Sequence, residues 1–200
     1  MRMNAIETAV MNNPARRAVQ RFYEAPLLRR LGGDVEGGAA LEIGCGQGYG
    51  AELICRVFGA AHVDAIDIDP GMLERARRRA RRKRLPVTVR RADATRVPAP
   101  DGAYDAVFDF GIVHHVEDWP AAVAEVRRVL RPGGQFFFEE VTAKALARPS
   151  YRLLFDHPRA DRFSAAELVA ELDRNGLRVD GRVVERFFGD FVIGVARAAT

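Results

Sequence analysis

Three carboxylates occupy equivalent places in the chain, each at or next to the end of a short apolar run: Glu42, Asp67 and Asp93. Between the first two lies the loop Gly44-Cys45-Gly46-Gln47-Gly48, whose glycines let a backbone turn sharply and approach a ligand with no Cβ in the way. Asp67 follows Gly44 by 23 residues, a spacing at which a carboxylate can accept both hydroxyls of a ribose. Asp93 precedes Ala94, where a side chain and the next backbone N–H can together read an adenine edge. An acidic rim of this kind repels phosphates and suits a cationic, phosphate-free nucleoside. Further on, His114 and His115 offer imidazoles titrating near pH ~6.5, suited to taking a proton from a phenol or hydroxyl. Glu139 and Glu140 end another apolar run, where one is expected at the ligand edge and the other in solvent.

For these groups to meet, the runs that carry them must lie side by side. Apolar runs at 39–44, 62–68, 87–93, 104–111 and 136–141 read as strands, and helical patterns at 48–58, from Pro70 onward, and at 119–130 alternate with them. A helix capped by Ser164 and two segments at 177–187 and 190–198 close the chain. The expected fold is therefore α/β: a Rossmann-like, doubly wound sheet of seven strands with helices on both faces. It is mostly parallel, with one antiparallel strand near the C-terminal edge, because the last two segments are too close for a crossover. Ligands in such sheets bind at the carboxyl ends of the strands, where the strand order reverses. Asp69 competes with Asp67 for the ribose, but its place just before Pro70 reads better as a helix N-cap.

The segments LEIGCGQGYG, AIDIDPGML, ADATRVPAPDGAYDAVF and HHVEDWPAAVAEVRRVLRPGG, in this order, resemble the successive motifs of class I S-adenosylmethionine-dependent methyltransferases. The resemblance covers residues 39–140 and is nearest to the group containing ubiquinone and menaquinone biosynthesis enzymes and many small-molecule methylases. It implies S-adenosyl-L-methionine as cofactor. Gly44 and Gly46 would pass its methionine part, Asp67 would hold the ribose, Ile68 would pack on the adenine, and Asp93 with Ala94 would bind the adenine edge. Glu42 would orient the loop or meet the methionine amino group, and Phe110 joins the cofactor set. His114 and His115 are the candidate bases, and Tyr23 and Glu140 the candidate substrate contacts. The loop itself is G-x-G-x-G, not the dinucleotide pattern G-x-G-x-x-G, because position 49 is Tyr.

Composition and missing motifs narrow the acceptor. The 200 residues carry 31 Lys and Arg against 27 Asp and Glu, for a net charge of +4, and all the cations except Lys83 and Lys144 are arginine. Eight of them fall at 75–84 with no acid, which leaves the rest of the chain net negative. One local run reads as a solvated helix face whose cations complement the helix C-terminus, and it disfavours a nucleic-acid footprint. No Asp/Asn-Pro-Pro-aromatic segment follows the fourth strand, no Pro-Cys pair is present, and no Tyr is followed at the fourth position by Lys. Amino-group methylases of nucleic acids, cytosine C5-methylases and short-chain dehydrogenases are thereby disfavoured. The expected activity is methyl transfer to a small-molecule acceptor, at oxygen of a phenolic, quinol-like or lipid-like compound. A nucleic-acid or protein methyltransferase, and a nicotinamide-dependent oxidoreductase, are the alternatives.

The chain is expected to form one domain. Residues 1–38 are a helical lid, 39–140 the cofactor core, 141–163 a substrate-side segment and 164–200 the final helix and strand pair. No apolar stretch reaches the ~20 residues of a membrane span, though the mixed basic and apolar N-terminal segment leaves peripheral lipid contact open. Two cysteines make no framework, and with no secretory signal the expected location is cytoplasmic. So small a lid fits a compact acceptor, or a pocket completed by a second subunit in a homodimer. Phe22 is expected to pack on the sheet.

Overall fold

The computed structural model describes residues 13–148 and 162–200; residues 1–12, His157 and most of the expected substrate-side segment lie outside them. One sheet runs through the molecule in the order β3-β2-β1-β4-β5-β8-β6, with β7 also pairing β8. Here β1 is Ala39–Ile43, β2 His62–Asp67, β3 Val87–Arg91, β4 Tyr104–Phe110 and β5 Leu130–Val141. β6 is Leu177–Arg178, β7 Val183–Arg186 and β8 Phe191–Ala198. β1 pairs β2 on one side and β4 on the other, both in parallel, so the order reverses between β1 and β4. That reversal opens a crevice at the carboxyl ends of these two strands.

The strands read as continuous apolar runs because both faces are covered. Leu41, Ile43, Val107, Phe136 and Phe138 face one buried cluster with the helix Trp119–Val129, while Ala40, Ala65, Phe108 and Phe137 face the other. In the second cluster the Phe108 and Phe137 rings lie parallel with centroids 4.5 Å apart, and Phe58 meets both edge-on. Aromatic pairs of this kind add about 0.5–1.5 kcal/mol each beyond the area they bury. Helix Pro70–Lys83 starts as its sequence requires: Asp69 Oδ1 accepts from the N–H groups of Gly71 and Met72 at 2.7 and 3.1 Å. Most of its basic run is exposed; Arg77, which donates to the Val89 carbonyl at 3.2 Å, and Arg79, whose side chain is 11% exposed against Glu52, are the exceptions.

Three departures from the sequence reading have local causes. The expected strand at 177–187 is broken by Asp180 and Gly181, both in the left-handed region (φ 47° and 75°), so the described residues form eight strand segments with β6 and β7 sharing one edge of β8. β8 is the antiparallel strand, against β5 on one side and β6 and β7 on the other. Pro132-Gly133-Gly134 lies inside β5, not before it: the pairing shifts from Tyr104–Leu130 to Ala106–Gln135 around a bulge that spares Pro132 a ladder bond. Phe22 is 75% exposed, because the face of the N-terminal helix turned to the sheet is filled by Gln20, Glu24, Ala25 and Leu28.

Candidate functional site

The glycine loop leaves β1 and enters the helix Tyr49–Val57 with Gly44, Gly46 and Gly48 all at positive φ (64°, 49° and 75°). A Cβ at Gly44 would run into Ile112, whereas one at Gly46 would meet nothing within 4 Å among the described residues. Gly46 thus leaves an open cradle beside Asp67. Asp67 Oδ2 accepts from the Gly46 N–H and Oδ1 from the Asp69 N–H, both at 2.8 Å. Burial raises its pKa against those two donors, and each oxygen retains a lone pair for a ligand hydroxyl. Asp93 is exposed and uses Oδ1 to hold the N–H and hydroxyl of Thr95 at 2.9 and 2.8 Å. Gly44, Asp67, Ile68, Asp93, Ala94, Ile112 and His115 line one cleft of about 360 Å³.

Glu42 lies behind the loop, 3% exposed, with Oε2 buried and lacking a hydrogen-bond partner among the described residues. Burial pushes its carboxyl well above the ordinary range. Gly50 explains the fourth glycine of the motif, since any Cβ there would strike the Glu42 carboxylate and stand 2.7 Å from the Phe110 ring. Phe110 itself is half-buried, stacked on Phe108 at 6.0 Å. A cationic nucleoside fits this set on structural grounds: an orphaned buried carboxylate oxygen, an open glycine cradle and a row of acceptors at the strand ends.

The histidines sit in a single 3-10 turn, Val113–His115, directly after β4. His115 faces the cleft; His114 lies behind it, the two rings 4.2 Å apart. Glu140 turns away from the cleft and holds this turn. Its Oε1 accepts from the Val113 N–H at 2.7 Å, and its Oε2 accepts from the His114 N–H at 3.1 Å and lies 2.5 Å from His114 Nδ1. At 1% exposure and outside the lining of the cleft, Glu140 is turned to the 3-10 turn and not to a substrate, which corrects the expected contact. Asp109, which the sequence reading passed over, accepts from the N–H groups of Gly111 and Ile112 at 3.1 and 2.9 Å, while its Oδ2 is buried with no donor among the described residues. Burial and the neighbouring Glu140 carboxylate push the Asp109 carboxyl well above its usual range. Burial likewise drives the His114 imidazolium down to about 4, so this histidine is neutral near pH 7. A carboxylate at an inward position of an apolar strand was the signal for Asp109.

Neither Glu139 nor Glu140 is solvated. Glu139 is 5% exposed and receives both oxygens' bonds from Arg16 at 3.0 and 3.2 Å. Arg16 also grips Glu24 at 2.5 and 2.6 Å, so two acids share one guanidinium. Burial and Glu139 together raise the Glu24 carboxyl to about 9. Arg17 and Arg79 approach the Tyr49 ring at 6.0 and 5.3 Å, which ties the N-terminal helix to the glycine loop as well. Tyr23, 40% exposed, points elsewhere: its hydroxyl accepts from Arg186 Nε at 2.7 Å, and it does not line the cleft.

A Rossmann-like sheet with acidic strand ends around a glycine cradle is the architecture of a nucleoside-cofactor site, and similarity to known proteins gives the family. Residues 41–138 match the methyltransferase domain family. The malonyl-acyl-carrier-protein O-methyltransferase of Serratia marcescens is 36% identical over 143 residues, 72% of this chain and 53% of that protein. The fatty-acid O-methyltransferase of Mycolicibacterium smegmatis is 36% identical over 118 residues, 59% of this chain and 40% of that protein. The crystal structure of an S-adenosylmethionine-dependent methyltransferase from Aquifex aeolicus superposes with a TM-score of 0.74 at 25% identity, covering 95% of each chain. The chain spans about half the length of the curated relatives it matches. It belongs to the class I S-adenosylmethionine-dependent methyltransferases, whose cofactor is S-adenosylmethionine.

Proposed function

We propose that this chain transfers the methyl group of S-adenosylmethionine to an oxygen of a small phenolic, quinol-like or lipid-like acceptor. The observation that carries the reading is that His115 lines the same cleft as Asp67, Ile68, Asp93 and Ala94, so a proton acceptor and the nucleoside-reading residues share one space. Oxygen as the nucleophile is supported by the relatives from Serratia marcescens and Mycolicibacterium smegmatis, whose names give O-methyl transfer to malonyl-acyl-carrier-protein and to a fatty acid.

When bound, the cofactor supplies an electrophilic methyl on a sulfonium ion. The chain's own task is to align an oxygen with it and keep water out, because transfer to an anionic nucleophile destroys charge. Asp67 accepts the ribose hydroxyls with the lone pairs left by Gly46 and Asp69. Asp93 and the Ala94 N–H read the adenine edge, with Ile68 and Ile112 against the ring. Gly44 and Gly46 leave room for the methionine part, and the unpartnered oxygen of Glu42 receives its ammonium group, which returns that carboxyl to its charged form. Phe110 supports the loop from below through Gly50. His115 takes the acceptor's proton where the acceptor arrives protonated, and His114, fixed by Glu140, holds it in place. Helix Pro14–Val19, pinned to Glu139, closes the cofactor edge.

The test is mass spectrometry of an acceptor library incubated with the protein and S-adenosylmethionine. Products heavier by one methylene, with the added methyl on oxygen, are expected. If calorimetry detects no binding of S-adenosylmethionine or S-adenosylhomocysteine, the reading is wrong at its root.

A further inference from the structure

The turn between β7 and β8 is built against its own sequence. Phe187 and Phe188 both adopt left-handed backbone conformations, φ 51° and 60°, where glycine or asparagine is at home and a bulky residue is strained. Nor does burial compensate. Phe188 is 91% exposed and Phe187 66% exposed, its ring touching Phe191 edge-on at 5.7 Å. The hydrogen bond from Arg186 to Tyr23 joins this turn to the N-terminal helix, where Phe22 is 75% exposed.

Cations surround the aromatics. Arg186 carries the bond to Tyr23, Arg21 stands 5.9 Å from the centre of the Phe22 ring, and Lys144 Nζ donates to the Phe188 carbonyl at 2.5 Å. Of the two acids at the turn, Asp190 is engaged by Arg148 at 2.8 Å, and Glu185 is the other. The surface is thus aromatic at its tip and net positive around it. It lies on the same edge of the sheet as the cofactor cleft, because Phe191 pairs with Val141 at the carboxyl end of β5.

We propose that this surface docks on an anionic lipid bilayer, with Phe188, Phe187 and Phe22 entering the interface and Arg21, Arg186 and Lys144 meeting acidic headgroups. Aromatic tips flanked by basic side chains are the chemistry that binds a membrane surface without spanning it. The opening of the cleft then faces the lipid, whatever the acceptor is, so the inference stands apart from the methyl-transfer reading.

Flotation with phosphatidylcholine vesicles, with and without phosphatidylglycerol, tests it. The protein is expected to float with the anionic vesicles and to stay down with phosphatidylcholine alone or at high salt. Phe188→Gly removes the exposed ring at a backbone angle glycine prefers, so it leaves the fold and S-adenosylhomocysteine binding intact. It is expected to weaken vesicle binding at least about tenfold. Arg21→Gln is expected to weaken binding to anionic vesicles selectively. Absence of flotation, flotation unchanged by Phe188→Gly, or self-association abolished by Phe188→Gly without vesicle binding would each overturn the proposal.

Discussion

Glu140 Oε2 lies 2.5 Å from His114 Nδ1, joining the end of β5 to the turn that follows β4. Because the same carboxylate also accepts two backbone N–H groups of that turn, the position of His115 in the cleft depends on a residue outside the cleft's lining. Burial raises the Glu140 carboxyl to about 7 and lowers the His114 imidazolium to about 4, so the pair carries its proton within this one contact. A buried carboxylate with three donors works as a keystone of local geometry, and its removal strands every donor at once.

Glu140→Ala is therefore expected to cost about 2–4 kcal/mol in urea unfolding, and Glu140→Gln, which keeps one acceptor oxygen, less than half of that. An alanine variant within 0.5 kcal/mol of the parent, roughly the reach of an ordinary surface change, would show that the turn holds itself.

The order of elements and the carboxylates at the ends of β1, β2 and β3 were legible because each is a local pattern: an apolar run, a glycine loop, a cap. Asp69 illustrates this, since its capping role follows from its place before Pro70 and is met within three residues. Arg16, Glu24 and Glu139 show the opposite. Their meeting spans 123 positions in the chain and depends on where the N-terminal helix lands on the sheet, which no local pattern encodes. Glu140 read as a ligand-edge group for the same reason: alternation along a strand says that neighbours face opposite ways, not which way has water. The strained Phe187-Phe188 turn was invisible because phenylalanine disfavours left-handed angles, so residue type points away from the backbone these two adopt.

Asp67 and Asp93 should separate binding from stability. Asp67→Asn disturbs the Gly46 and Asp69 contacts as well as the proposed ribose contact, so both unfolding stability and S-adenosylhomocysteine affinity are expected to fall. Asp93→Asn touches only an exposed turn with Thr95 and is expected to leave the melting temperature within a degree or two. Affinity should drop by about fivefold to fifteenfold, the value of one hydrogen bond of roughly 1–1.5 kcal/mol. Calorimetry with the same ligand checks both, and an unchanged affinity in Asp93→Asn removes it from the adenine site.

Two glycines should fail in different ways. Gly50→Ala drives a methyl into the Glu42 carboxylate and the Phe110 ring and is expected to destabilise the protein by about 1–3 kcal/mol. Gly46→Ala meets no neighbour within 4 Å, so its fold cost is limited to the left-handed φ, roughly 1–2 kcal/mol, while the new methyl fills the cradle beside Asp67. Ligand affinity is expected to fall more than stability in the second variant only. Equal behaviour of the two in melting and calorimetry contradicts the cradle.

The Arg16–Glu24–Glu139 cluster gives a signed pH dependence. Glu24 keeps its proton in the folded protein up to about 9, whereas the unfolded chain releases it near its ordinary value of 4.5. Its contribution is therefore complete below about pH 4.5 and is lost progressively as pH rises through that window. Glu24→Gln fixes the neutral form, with an amide that can still donate to Glu139. Relative to the parent it should gain nothing near pH 4.5 and roughly 1–3 kcal/mol by pH 8, read as a melting temperature higher by several degrees. A Gln variant that is the less stable protein at pH 8 would mean that Glu24 is charged in the fold.

The two histidines provide the sharpest division of labour, since they are adjacent in sequence and differ only in what they face. His115→Ala removes the imidazole that lines the cleft, so turnover on a hydroxyl acceptor should fall by about 10²–10⁴-fold. S-adenosylhomocysteine affinity should change by less than about threefold, because the nucleoside contacts proposed above belong to Asp67, Asp93 and Ala94. His114→Ala deletes the donor to Glu140 and opens a buried gap, so it is expected to lower stability by about 2–4 kcal/mol. Its residual turnover should still exceed that of His115→Ala, because the imidazole lining the cleft is intact. His114→Asn, whose amide can reach the same carboxylate oxygen, should recover part of that stability. If turnover collapses in His114→Ala while stability holds, and His115→Ala is fully active, the roles are exchanged and the proton leaves through His114.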